Sequence, residues 1–299
     1  MSIKSILLAL LVVIIWGVNF SIIKFGLEEL PPILFSALRF FVVAVPAVFF
    51  IPFPKTSIWN VLGVGLFLGV LKFGFLFVAM RADASAGISS LLLQAQVIFT
   101  ILLSVLIYKE KVKLSQGIGV FIALIGFSFF FFTVNTNVTF LGLVLLISAA
   151  FFWAISNVIM KRVKDVNLLH FMVWVCLVPP LPLFILSYFF ESSEPFSIIL
   201  SSTEQTWLSL IYVGYISTLV AFAIWGWLLK SFTASQVTPF ALLIPVVGIL
   251  GSVILLDEKL SLTELAGSIV ILFGLFVVVF GDKIVNKLKK TDENCPQKI

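Results

Sequence analysis

Two basic side chains lie where a membrane-spanning segment would bury them: Arg39 inside an apolar run at 32–51 and Lys72 inside another at 58–80. A charge in hydrocarbon is costly, so each is a functional candidate by default. Both stand about eight residues from the same face, roughly 12 Å deep at a rise of about 1.5 Å per residue. Asn19, in a run at 4–25, and the pair Gln94 and Gln96, in a run at 85–107, fall about 9–15 Å from that face. Five polar side chains from four segments thus share one level. A pocket there would be cationic, with amide donors and acceptors, and would suit the carboxylate of a small-molecule substrate or a zwitterion.

Other roles stay open for these residues. Arg39 could snorkel toward headgroups or brace a helix through backbone carbonyls. Gln94 and Gln96 are two apart, so at most one faces a cavity squarely and the other ties helices together. Asn19 reads equally well as packing glue. The second half of the chain adds Trp153 and Asn157, with Ser156 between them, and Tyr212 and Tyr215 as further substrate-binding candidates. Pro239 and Pro245 are candidates for a gate or hinge, because a proline inside a helix frees a carbonyl and bends the axis. Trp225-Gly226-Trp227 reads as part of an interfacial aromatic belt. Glu110 and Glu258, each followed by a lysine, read as turn residues that cap helices and form local ion pairs.

No aspartate or glutamate falls in the middle of an apolar run. Proton-coupled carriers commonly relay through membrane carboxylates, so exchange or facilitated diffusion is the expectation. The single histidine, His170, has no Cys/His/Asp cluster around it, so neither a metal site nor a cofactor is expected. An intramembrane enzyme would need clustered His, Asp and Glu at one face, and that class is set aside. Cys176 lies in an apolar run and Cys295 in the polar tail, which makes a disulfide between them improbable.

The elements that must position these residues follow from composition. Of 299 residues, 61% are hydrophobic and only 11% charged, with a mean hydropathy of +1.23. A soluble domain carries about 25% charged residues, so this chain cannot clothe a water-facing surface. Runs long enough to span a bilayer fall at 4–25, 32–51, 58–80, 85–107, 115–133, 138–160, 168–190, 206–229, 234–256 and 263–281. Continuous rather than alternating apolarity makes them helices, not strands of a barrel. The expected fold is all-α integral membrane, with ten transmembrane helices.

An even number of spans puts both termini on one side. Fourteen of the 19 Lys and Arg residues then fall in loops or tails on that side, against Lys24, Arg81 and Lys259 on the other. The positive side stays in the cytoplasm, which places both termini there and makes the basic tail, 283–299, an anchor near anionic lipid. The same distribution argues against nucleic acid as a partner. The expected partners are a small-molecule substrate and the lipid bilayer, with the chain a monomer or homodimer.

Sliding the chain by 148 residues aligns 84–127 with 232–275 without a gap, pairing Glu110 with Glu258, Lys111 with Lys259, Gly119 with Gly267 and Gly126 with Gly274. Five helices followed by five more is the implied organisation, 1–133 and 138–282. Five is odd, so the second copy enters the membrane inverted. Inverted repeats are the architecture of secondary transporters, with the substrate at their interface.

These residues also carry a family likeness. Trp16-Gly17-Val18-Asn19-Phe20, Arg39-Phe40, Phe152-Trp153-Ala154-Ile155-Ser156-Asn157, Pro245 and the turns at Glu110 and Glu258 occur in an order that resembles the EamA-type branch of the drug/metabolite transporter superfamily. That pattern often has a proline in the fourth helix as well, where this chain has Val97 after Gln94-Ala95-Gln96. The departure resembles a subgroup of bacterial exporters of cysteine and O-acetylserine. The resemblance implies a secondary transporter of the bacterial inner membrane that exports small amino-acid metabolites by alternating access. Aromatic amino acids, purine metabolites or drugs are the other cargoes that the same fold would handle.

Overall fold

A computed structural model describes residues 1–132, 136–163 and 165–293, without the side chains of 234, 235, 283 and 285–293. Lys164, Cys295 and most side chains of the basic tail lie outside the described residues. Among those residues nine helices are long and apolar enough to cross a membrane: α1 (Ile3–Gly26), α3 (Ile58–Asp83), α4 (Ala86–Tyr108), α5 (Leu114–Phe132), α6 (Phe140–Met160), α7 (Leu168–Phe190), α8 (Glu204–Ser231), α9 (Thr238–Leu256) and the apolar part of α10, Leu262–Asp282. A shorter apolar helix, α2 (Pro32–Ala47), lies between α1 and α3. It covers only part of the expected run 32–51. Pro46 withholds one backbone donor and Pro52 and Pro54 follow, so the helix stops at Ala47 and a turn continues to Phe50.

Side-chain caps decide where several of these helices begin. Ser2, Ser85 and Thr139 each accept a backbone N–H from the first turn that follows, and Asn167 accepts two, from Leu169 and His170. α10 opens with a capping box, in which Glu264 accepts from the Ser261 N–H and Ser261 accepts from the Glu264 N–H. Three further carboxylates cap from a distance. Glu191, after α7, takes the N–H groups of Ile33 and Leu34 at the start of α2. Glu29, after α1, takes those of Thr203 N–H and the Thr206 hydroxyl at the start of α8. These bonds hold the Glu29 carboxyl below its ordinary range. Glu258, after α9, takes the N–H groups of Ala86 and Gly87 at the start of α4.

The packing inverts that of a soluble protein. Large apolar side chains such as Leu7, Ile14, Trp59, Phe121 and Phe190 are exposed, while Ser5, Ser21, Ser36, Ser89 and Ser156 are buried. Small polar residues let helices approach closely where hydrocarbon, not water, surrounds the bundle.

The chain divides into two compact units. One comprises Met1–Leu103 with Asn135–Lys259, the other Ser104–Val134 with Leu260–Ile299. In the second unit α5 packs along α10 through glycines on both helices. A Cβ on Gly126 would stand 2.6 Å from the Ile271 backbone nitrogen, and one on Gly119 would stand 2.6 Å from the Gly274 carbonyl oxygen. Gly126 also faces Gly267. The four glycines paired by the 148-residue offset therefore meet crosswise, 119 with 274 and 126 with 267. Lys113 and Asp282 close one end of this pair at 2.5 Å. Gly126→Leu is expected to force the helices apart and lower the thermal unfolding midpoint by several degrees, whereas Gly117→Leu, with open space around it, leaves it unchanged. Equal midpoints would refute the close approach.

The first unit holds the remaining helices and several departures from regular α geometry. α3 contains π-helical turns at Gly65–Lys72 and Ala79–Asp83, and α8 contains one at Tyr212–Val220. α4 breaks at Leu93 and Gln94, and the N–H groups of Gln94, Gln96 and Val97 reach back three residues instead of four. α9 opens as a tighter 3₁₀ helix, Thr238–Leu243, and α7 pauses before Pro179 and Pro180. Such irregularities collect at functional sites in membrane helices.

Candidate functional site

Arg39 and Lys72 meet around one aromatic ring. Arg39 is 4% exposed and Lys72 5%. The Arg39 guanidinium carbon lies 4.1 Å from the centroid of Phe73, and the Lys72 ammonium lies 3.3 Å from the same centroid. Phe40, Phe77 and Trp153 add to the aromatic surroundings, the first two 4.7 and 5.7 Å from Arg39 and the third 4.8 Å from Lys72. Cation–π contacts strengthen as water leaves, to about 2 kcal/mol or more each, yet no carboxylate pairs with either cation among the described residues. The one polar partner described for Arg39 is the Thr218 hydroxyl, 3.3 Å from Nη2. Its Nε and Nη1 have none among the described residues.

The irregular turns explain how the neighbouring side chains are held. In α8 the π-helical turn lets the Ala221 N–H bond Ile216 rather than Ser217, and the spare Ser217 carbonyl accepts from the Trp16 indole at 2.9 Å. Thr218 donates to the Val213 carbonyl, five residues back, which fixes its oxygen as an acceptor for Arg39. Pro46 cannot supply the N–H that Val42 would otherwise receive. The Tyr215 hydroxyl supplies that bond instead, at 2.7 Å from the Val42 carbonyl. Tyr212 donates likewise to the Ile15 carbonyl at 3.0 Å. Both tyrosine hydroxyls thus tie α8 to other helices.

The amides separate into two groups. Gln96 and Asn157 meet directly, Nδ2 to Oε1 at 2.7 Å, and Thr100 joins them at 3.3 Å from the same Nδ2. This is an interhelical tie between α4 and α6. Gln94 is buried at the break in α4, and Asn19 is buried in α1 with an Oδ1 that finds no partner among the described residues. A separate polar pocket of about 330 Å³ lies at the start of α4, lined among others by Lys24, Asp83, Ser85, Thr139 and Glu258. Its charged groups are engaged: Lys24 donates to the Met80 and Ala84 carbonyls, and Asp83 accepts from Thr139.

Buried cations, broken helices and a lipid-compatible surface describe a membrane carrier, and comparison with known proteins agrees. The EamA-like transporter family matches residues 3–132 and again 140–280. The chain belongs to that family. A Salmonella typhimurium LT2 protein described as a "Probable amino-acid metabolite efflux pump" is 37% identical over 291 residues, covering 95% of this chain and 97% of the relative. An Escherichia coli K12 protein of the same description is 38% identical over 288 residues, covering 94% and 96%. A solved crystal structure aligns over 95% of this chain and 99% of its own with a TM-score of 0.65 at 18% identity, a likeness of fold. This EamA-like protein is a multi-pass membrane transporter, a class that its exporter relatives share.

Several expectations change in this EamA-like chain once its geometry is known. Lys72 stands eleven residues from the end of α3 at Asp83, about 16 Å along the helix rather than about 12 Å, because the helix continues in π-helical turns beyond residue 80. Trp225 is 8% exposed and packs against Trp16 with centroids 5.3 Å apart, so it is core rather than belt. Glu258 caps a distant helix instead of pairing locally. Pro239 and Pro245 sit in the first turns of the 3₁₀ segment and of the α-helix after it, where a missing N–H costs nothing. α4 breaks without any proline. Thr218, Phe73 and Thr100 were not among the residues singled out from sequence. Thr100 follows Gln96 by one helical turn, a legible signal; Phe73 is one of 33 phenylalanines and gives none.

Proposed function

We propose that this chain exports small amino-acid metabolites of the cysteine and O-acetylserine class across the bacterial inner membrane by alternating access. It does so as two inverted five-helix halves, 1–133 and 138–282, with α2 as the second of ten spans and both termini in the cytoplasm. The observation that carries the reading is the buried pair Arg39 and Lys72 around Phe73, with no carboxylate to neutralise it among the described residues. A cargo carboxylate supplies the missing charge, and burial makes that exchange strong. Gln94, at the break in α4, offers an amide oxygen for the cargo's ammonium group, and Trp153 forms an apolar wall.

Two features support the paired halves. The family matches the chain twice. Shifted by 148 residues, the π-helical turn Gly65–Lys72 lands on 213–220, inside the turn Tyr212–Val220. The break at Leu93 and Gln94 lands on 241–242, inside the 3₁₀ segment Thr238–Leu243. Equivalent discontinuities in both halves give each a bending point, and Pro239 and Pro245 frame the one in α9. Rocking about such points exposes a central site to one side and then the other.

Counterflow in proteoliposomes tests the reading. Vesicles loaded with unlabelled cysteine or O-acetylserine are expected to accumulate the labelled compound from outside, and those loaded with aromatic amino acids are not. Exchange of aromatic amino acids, purine metabolites or drugs alone would move the cargo to that class. Silence with every compound, from protein shown to be folded, would refute transport of this kind.

A further inference from the structure

The unpaired cations also constrain the return half of the cycle. After release, a carrier that came back empty would take the Arg39 guanidinium through its occluded state with no counter-charge and with donors left unbonded. Thr218 does not offset this. Its proton is given to the Val213 carbonyl and its oxygen reaches only Nη2. The faces of Phe73, Phe40 and Trp153 attract cations but carry no charge. Nε and Nη1 of Arg39, on a side chain 96% removed from solvent, keep three N–H donors without partners among the described residues. Among the described residues, facing groups from the other packed helices add no anion: Cys176 on α7 is a buried thiol, α8 brings Thr218 and α6 brings Trp153. Buried donors of this kind are satisfied by a ligand or are penalised.

We propose that the Arg39–Lys72 site is a standing anion site that does not return empty. The cargo's carboxylate occupies it on one leg, and a small, weakly hydrated monovalent anion of the halide class occupies it on the other, so that transport is an exchange. The inference rests on the proposed export reading for the identity of the first occupant and for the alternating cycle. A halide fits the donor set because the free donors are few and clustered and the walls are aromatic. A phosphate would leave oxygens facing Phe73 and Trp153 without donors.

The test uses the purified full-length chain and chloride as the probe. At constant ionic strength, replacing gluconate by chloride is expected to raise the thermal unfolding midpoint in detergent saturably, as a ligand of the folded state does. Arg39→Gln and Lys72→Gln each abolish the saturable rise; should one fail to fold, the other carries the comparison. In proteoliposomes, efflux of labelled cysteine into chloride medium is expected to run at least tenfold faster than into gluconate medium. A flat chloride titration of the unaltered protein overturns the site. Cysteine leaving equally fast into both media also overturns it and leaves export standing. A saturable chloride shift with no movement of any cargo upholds the anion site and sinks the export reading.

Discussion

Replacing either buried cation by glutamine is expected to cut transport by about 10–100-fold without destabilising the protein. A hydrogen bond to a charged group is worth about 1.5–3 kcal/mol, and about 1.4 kcal/mol corresponds to one factor of ten. Arg39→Gln removes the charge and the unpartnered donors; Lys72→Gln removes the second charge and keeps most of the stem. The stability readout separates function from structure. A cation that braced the fold would lower the unfolding midpoint when removed. Here neither cation has a counter-charge among the described residues, so a neutral side chain trades the cation–π contacts for relief of an unpaired buried charge, and the midpoint is expected to change little. Initial counterflow rates normalised to reconstituted protein, set beside thermal unfolding in detergent, give both numbers. Two variants that fold and transport at full rate would remove the pair from the mechanism, and two that lose stability along with rate would make it a brace.

Most of the helical framework is legible in the sequence because apolarity is a summed property. Ten runs stand out, and the nine spanning segments and α2 lie on them within a few residues, with α2 shorter than its run for a reason also visible in the sequence, Pro46; the short helix Pro195–Ser201 lies between runs. The polar candidates were legible one by one, since any amide or cation in such a run stands out. Their grouping was not. A 3.6-residue period gives no warning that α3 and α8 carry π-helical turns, and the one in α8 frees the Ser217 carbonyl for Trp16. One of Gln94 and Gln96 is expected to tie helices together, and Gln96 does so, but its partner Asn157 is not legible in the sequence. Which partner an amide chooses depends on helix neighbours that no local pattern encodes. Tyr212 and Tyr215 were likewise read as site groups, and their hydroxyls go to backbone carbonyls that only the packing brings near.

Glu258 shows the same limit from the other side, and its removal is the second large effect expected. The turn that carries it was read as a local capping corner. Instead the carboxylate spans from the end of α9 to the start of α4, with Oε1 2.7 Å from the Ala86 nitrogen and Oε2 3.1 Å from that of Gly87. An anion at a helix N-terminus gains from two charge-assisted bonds and from the helix dipole together. Residue 87 must be glycine for this approach, since a Cβ there would stand 2.5 Å from the Ser252 hydroxyl on α9. Glu258→Ala leaves both N–H groups without their carboxylate in a polar pocket beside Lys24, whose own bonds run to the Met80 and Ala84 carbonyls. Loss of a cap costs about 1 kcal/mol, and unsatisfied partners of a charged acceptor raise that to about 2–3 kcal/mol. Glu258→Gln recovers part of it, because one amide oxygen still accepts while the amino group faces the other N–H. Glu28→Ala, an exposed acidic side chain near the end of α1, is the control and is expected within about 0.5 kcal/mol of the parent. Denaturant midpoints in detergent rank the three. If Glu258→Ala unfolds with Glu28→Ala rather than well below it, the carboxylate is not what holds α4 to α9.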